Sequence, residues 1–337
     1  MEATIVSDSV KHYPVLLKEI ISVISPQHGG TFIDCTLGQG GYTKEILKYQ
    51  NTKVIGLDRD INSEIIGKAI QEKFPDRFLF KNLRFSMLNN LKLKNENIKG
   101  IVFDLGYSFT QIKDPKKGLS FNSQGELNMM MGLNDFSAKE VINNLEVKEI
   151  EKILKYFGDE NDAKIIAKNI AKERQLKIID TQELVRIIEK SKRKKNYRVH
   201  SSTKTFQALR IFVNKEITEL IYGIINATKK LKPGGKILVV SFHSLEDRIV
   251  KYFFTNFSKN KSRPSRYLPE DDILDTSLFN DYKNNVLRPS KKELEKNIRS
   301  RSAKLRFAVR SANKFEYPNG FTKKFEKYLN LEAINVK

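Results

Sequence analysis

Residues Phe32 to Thr43 read FIDCTLGQGGYT. An apolar run ends on the carboxylate of Asp34. Gly38, Gly40 and Gly41 follow within a few residues, and residues 44–49 then read as helical. A strand–glycine–helix unit suits a nucleotide or an anion. Glycine lets backbone N–H groups approach a ligand closely, and the helix N-terminus carries partial positive charge.

The surroundings narrow the choice of ligand. Asp58 stands 20 residues after Gly38, where nucleotide sites place an acid for ribose hydroxyls. The glycines do not follow the dinucleotide spacing, which disfavours NAD, and no phosphate-loop motif occurs. Acidic residues instead end three predicted strands: Asp34, Asp58 and Asp104. Carboxylates suit a ligand that pairs a ribose with a cationic sulfonium and amine, which points to S-adenosylmethionine.

Further along the chain, strands are predicted at 31–35, 53–58, 78–80 and 100–106, with a helix over 61–73 between the second and third. Such alternation argues for a parallel sheet covered by helices on both faces. The rhythm then changes. Residues 135–157, 161–175 and 181–191 have helical periodicity, with Ser137 and Thr181 where N-caps belong. It returns with a helix over 206–231, the turn Lys232-Pro233-Gly234-Gly235 and a strand over 236–242. Residues 258–299 read as a long polar loop, and there is no internal repeat.

Composition bounds the class. The 337 residues allow one large domain or two. No apolar run is long enough for a membrane span, and the start reads neither as a signal nor as a transit peptide, so a cytoplasmic location is expected. The single cysteine, Cys35, excludes an internal disulfide and a multi-cysteine zinc site; no metal is expected. The net charge is +21. That excess suits a nucleic-acid partner, with an AT-rich codon bias as the bland alternative. The cations cluster in 191–198 and 299–306.

Several motifs now combine. His12-Tyr13-Pro14-Val15-Leu16-Leu17, the glycine stretch, Gly56-Leu57-Asp58-Arg59-Asp60 and Phe103-Asp104-Leu105-Gly106 occur in order. Gly118-Leu119-Ser120-Phe121, Thr205 to Ile211, the segment SFHSLEDRIVK from Ser241 to Lys251, and Arg299 to Arg306 complete the set. The chain resembles the bacterial family of small-subunit ribosomal RNA methyltransferases that act on the exocyclic amine of a decoding-region cytidine. The resemblance runs from about residue 12 to 310 and implies an α/β fold: a class I, Rossmann-like methyltransferase sheet with an inserted all-helical domain. The expected division is 1–110 and 211–337 for the methyltransferase domain, with 111–210 as the insertion. The resemblance implies S-adenosylmethionine as cofactor and ribosomal RNA as partner, with no membrane. It leaves the choice between monomer and homodimer open.

It also implies site residues. Backbone contacts to cofactor are expected from Gly40, Gly41 and Tyr42. Asp58 is expected on the ribose, Phe85 near the adenine, Asp104 near the adenine or methionine end, and Gln111 at the far rim. The chain departs from the family at Tyr42, where histidine is usual, at Tyr107-Ser108-Phe109, at Asn128 to Met131 and at Ser201-Ser202. The last two bear on substrate more than on cofactor.

The exocyclic amine of cytosine is a poor nucleophile, because its lone pair is delocalised into the ring. A hydrogen-bond acceptor would return density to the nitrogen. Asp104 is the first candidate and Ser108 the second. Tyr107 is read as a base platform or as packing. His243 is read as a proton acceptor, a phosphate contact or a structural residue. Lys192, Arg193, Lys194, Lys195, Arg198, Arg299 and Arg301 are the expected RNA contacts, with Lys304 and Arg306 in reserve. Two other classes stay open: a ribosome-assembly factor of the same fold without turnover, and a methyltransferase acting on DNA or protein.

Overall fold

The computed structural model describes residues 13–92, 97–108, 111–112, 114–193, 200–260 and 276–336. Six strands form one sheet: β1 (Gly30–Asp34), β2 (Thr52–Asp58), β3 (Phe78–Asn82), β4 (Ile98–Asp104), β5 (Lys236–Ser241) and β6 (Lys304–Val309), in the order β3-β2-β1-β4-β5-β6. The first five are parallel, and β6 runs antiparallel to β5. Successive side chains leave a strand on opposite faces. Ile33, Phe103 and Val239 therefore enter one core, while Phe32, Val102 and Leu238 enter the other. Burial on both faces explains why these strands read as continuous apolar runs.

Helices α1 (Leu17–Ile24), α2 (Gly41–Ile46) and α3 (Ser63–Lys73) belong to the first half of the sheet. The strand order reverses between β1 and β4. In open α/β sheets such a switch point opens a crevice at the carboxyl ends of the strands. Asp58 and Asp104 end β2 and β4 at that crevice.

Between β4 and β5 the described residues hold no strand. After a short 3-10 turn at Pro115–Lys117, four described α-helices follow: α4 (Ala138–Asn144), α5 (Val147–Gly158), α6 (Ala163–Glu173) and α7 (Thr181–Ser191). The helix expected over 135–157 is thus two, because Leu145 and Glu146 are extended. Ser137 caps α4 and forms a capping box with Glu140. Asp180, not Thr181, caps α7, and the buried Thr181 hydroxyl donates instead to the Gly125 carbonyl at 2.9 Å. The helix expected over 206–231 is also two, α8 (Thr203–Asn214) and α9 (Glu216–Lys230), broken at Lys215 with φ 49°. The apolar faces of these helices merge into the core that Ile33 and Phe103 enter from the sheet.

After β5 come α10 (Ser244–Asn256), α11 (Lys291–Lys296), α12 (Asn319–Lys324) and α13 (Glu326–Glu332). The region read as one loop, 258–299, therefore contains α11. Glu293 of that helix is buried and accepts the Leu16 N–H at 2.9 Å, tying it to the start of α1. No described helix is long and apolar enough to cross a membrane.

Candidate functional site

A cleft of about 870 Å³ opens at the switch point. The glycine loop forms its floor. Gly40 takes φ 72°, and a Cβ there would lie 2.5 Å from Ile70 Cδ1, so Gly40 faces α3 rather than the cleft. A Cβ on Gly41 would lie 2.2 Å from Pro14, which closes the loop from above. Asp34 turns inward. It is fully buried and accepts the Thr43 hydroxyl at 2.8 Å, and burial pushes its carboxyl up to about 6. This corrects its grouping with the ligand-facing acids: Asp34 braces the loop.

Asp58 lines the cleft. Its Oδ2 accepts the Gly38 N–H and its Oδ1 the Asp60 N–H, both at 2.8 Å. Each carboxylate oxygen has two lone pairs, so acceptor capacity remains. Burial raises this carboxyl above its ordinary range.

Asp104 stands on the neighbouring side of the switch point. Its N–H donates to Thr36 Oγ1 at 2.8 Å. Its Oδ2 lies 3.1 Å from the Tyr42 hydroxyl, which also reaches the Val15 carbonyl at 2.6 Å. Asp104 Oδ1 is buried with no hydrogen-bond partner. Burial, with help from Asp34 and Glu246, pushes this carboxyl up to about 7 against the opposing Tyr42 bond. Tyr42 is itself buried, so this side chain supports Asp104 from below.

Phe85 lines the cleft and stands edge-on to Phe103, with ring centres 5.3 Å apart. Gly223 leaves room for it, since a Cβ there would lie 2.6 Å from the Phe85 ring. Gln111 bridges two loops: its amide donates to Asp60 Oδ2 at 2.8 Å, and its carbonyl accepts the Ser108 N–H at 2.9 Å. Ser108 Oγ accepts the Gln111 N–H at 3.3 Å, a turn contact that competes with a role as substrate acceptor.

The far wall joins Tyr107 and His243 to Arg210 and Glu216, a pair that carried no expected role. Arg210 donates to both oxygens of Glu216, at 2.8 and 2.9 Å, and its guanidinium lies 4.9 Å from the centre of the Tyr107 ring. Tyr107 is 41% exposed, so it faces the cleft instead of packing inside. His243 caps α10, with Nδ1 accepting the Glu246 N–H at 3.4 Å. Glu246 accepts the Phe242 N–H at 2.9 Å; burial raises its carboxyl, but His243, the Phe242 N–H and the Arg210 guanidinium together hold it below the usual range. Donor atoms of Glu216, His243 and Glu246 lie within 4.8 Å of one another. Arg210, paired with Glu216, brings a positive charge beside this group.

The profile of the MraW methylase family matches residues 9–311. The chain belongs to the MraW methylase family. It is 42% identical over 300 residues to a protein of Ehrlichia canis, covering 88% of this chain and 98% of that one. It is 38% identical over 310 residues to one of Parvibaculum lavamentivorans, covering 89% and 90%. Both carry the name ribosomal RNA small subunit methyltransferase H. Among solved structures, an rRNA methylase from Streptococcus thermophilus aligns over 87% of this chain and 96% of that one. At 10% identity and a TM-score of 0.36, that likeness is too distant to bear on the site.

In this MraW methylase the expected basic contacts separate. Lys192 is largely covered, with 10% of its side chain exposed, and is paired with Glu160, an ion pair that competes with a phosphate contact. Arg193 pairs with Asp162 at 2.7 Å but keeps 68% of its side chain exposed. Lys194, Lys195 and Arg198 lie outside the described residues, as does the Arg299 side chain. Arg301 is exposed and lines the cleft with Lys296. Lys304 and Arg306 sit in β6, not in a basic loop. Both pair with Asp247, and Arg306 is buried against Tyr282 and Asn284. His200 stacks on Phe121 with ring centres 4.1 Å apart.

Proposed function

We propose that this protein transfers a methyl group from S-adenosylmethionine to the exocyclic amine of a cytidine in the decoding region of small-subunit ribosomal RNA. The observation that carries the reading is Asp104 Oδ1, a buried acceptor without a partner at the end of β4. The names of the relatives support a small-subunit ribosomal RNA substrate, and the resemblance of the motifs supports the amine.

The donor set fits S-adenosylmethionine. Asp58 has spare acceptor capacity for ribose hydroxyls, Phe85 offers a ring face, and Asp104 offers an unpaired acceptor to cationic or N–H groups. When bound, S-adenosylmethionine supplies a methyl already activated on a sulfonium, so the protein chiefly aligns donor and acceptor. Asp104 Oδ1 accepts an N–H of the amine and returns electron density to its nitrogen as the new bond forms. With its carboxyl near 7, Asp104 can also take the proton the amine releases. Tyr107, backed by Arg210, stacks on the base once it is turned out of its helix.

Mass mapping of ribosomal RNA from cells with and without the gene tests the reading, paired with transfer of labelled methyl to subunits from the deleted strain. One cytidine should gain a methyl on its amine. A folded protein that binds the subunit and transfers nothing would be an assembly factor instead.

A further inference from the structure

The SFHSLEDR segment holds a buried ring nitrogen that makes no hydrogen bond within the fold. His243 Nδ1 accepts the Glu246 N–H, which leaves the proton of the neutral ring on Nε2. The side chain is 9% exposed, and Nε2 has no hydrogen-bond partner. Glu246 Oε1 lies 3.2 Å away, but the contact does not meet hydrogen-bond geometry. Burying a donor without an acceptor is costly, and native structures rarely leave one so.

His243 also faces the same cleft as Asp104. Asp104 pairs with Val240 across β4 and β5, and His243 follows Val240 by three residues. Adjacent strands are about 4.8 Å apart, so the two groups share one stretch of the sheet edge. One is an acceptor without a donor, Asp104 Oδ1. The other is a donor without an acceptor, His243 Nε2–H. On the far wall, Tyr107 and Arg210 present a stacking face.

Cytosine matches that arrangement. Its amine donates and the adjacent ring N3 accepts. Uracil presents the reverse order, an accepting O4 beside a donating N3–H. We infer that His243 is a specificity-determining residue whose Nε2–H donates to N3 of the target cytosine while Asp104 Oδ1 receives the amine, so that the pair reads cytosine against uracil. The inference rests on the proposed cytidine amine as methyl acceptor. Glu246 is a positioning residue: it holds the start of α10 and keeps the imidazole turned toward the cleft.

The test alters the ligand as well as the protein. Small subunits are assembled on ribosomal RNA carrying cytidine, 3-deazacytidine or uridine at the position that mass mapping finds modified by the wild type. Binding is measured with S-adenosylhomocysteine present, so no transfer occurs. Wild type should prefer cytidine over 3-deazacytidine and over uridine by about 10- to 100-fold. In His243→Asn the side-chain oxygen can still cap α10, while the Nε2 position is vacated. That variant should lose the preference, and His243→Gln, which returns an amide N–H near Nε2, should regain part of it. Equal binding of cytidine and 3-deazacytidine by wild type would overturn the inference without any variant. Retained preference in His243→Asn, or an equal loss for cytidine and uridine, would reduce His243 to a helix cap and overturn it too. Absence of any methylated cytidine amine in the wild-type mapping would instead defeat the reading on which the inference rests.

Discussion

Asp58 holds two backbone N–H groups and still faces the cleft, so it can organise both loops and the ligand between them. Hydrogen bonds to a charged group contribute about 1.5–3 kcal/mol. Asp58→Ala should therefore weaken S-adenosylmethionine binding by roughly 10- to 150-fold in calorimetric titration. An unchanged dissociation constant in a folded variant would remove Asp58 from the site. Asp104 makes a different prediction, because burial holds its carboxyl near 7. A cationic ligand beside it binds the ionised form better and lowers its pKa in the complex. Affinity for S-adenosylmethionine should then be flat above about pH 7 and fall by up to tenfold per pH unit below it. S-adenosylhomocysteine, uncharged at sulfur, should fall less, and Asp104→Asn should flatten the difference. Identical pH profiles for both ligands would place the sulfonium away from Asp104.

Elements differ in how openly the chain announces them. The strands were legible because both faces are buried, which writes Phe32-Ile33 or Ile101-Val102-Phe103 as unbroken apolar runs. The acids at the ends of β2 and β4 were legible for the same reason, since a carboxylate closing such a run stands out. Helix breaks were not. Lys215 adopts a left-handed backbone without being glycine, and Leu145 and Glu146 carry no breaker chemistry. β6 was masked by its charges. Lys304 and Arg306 read as a basic loop, and only the fold brings Asp247, Tyr282 and Asn284 to them. Arg210 and Glu216 escaped notice because their pairing spans the break between α8 and α9. Lys192 at the end of α7 gives the sharpest contrast between charge and role. Its side chain is 10% exposed and that of Glu160 is 1% exposed. Lys192→Ala would leave Glu160 buried without a counter-charge, a loss of about 3–5 kcal/mol. Denaturant unfolding should report that loss while the salt dependence of RNA binding stays as in wild type. A stable variant with weakened RNA binding would return Lys192 to the RNA surface.

At the scale of the whole molecule, the question is where a net charge of +21 meets RNA. Of the cations read as RNA contacts or held in reserve, Lys192, Lys304 and Arg306 are spent inside the fold, on Glu160 and Asp247. Among the described residues, two cations remain exposed on the cleft lining itself: Lys296, the last residue of α11, and Arg301, between α11 and β6. Arg193 is exposed at the end of α7, between the helical stretch and α8. A base turned into the cleft carries its phosphates past the mouth, so Lys296 and Arg301 should meet the backbone on either side of it. Each phosphate contact on a single-stranded segment releases counterion and adds about 0.7 to the slope of log affinity against log salt. Replacing Lys296 and Arg301 together with serine should weaken binding to the small subunit at low salt and flatten that slope by about 1.4. Arg193→Ser should flatten it by about 0.7 if the end of α7 touches the same RNA, and by nothing if Asp162 keeps that arginine to itself. Affinity for S-adenosylmethionine should not move in the double variant, because the proposed cofactor contacts, Asp58 and Asp104, end β2 and β4 rather than standing on α11 or the chain after it. Salt lines parallel to wild type would mean that neither cation touches phosphate, and that RNA reaches Asp104 from the side of Tyr107 and Arg210 instead.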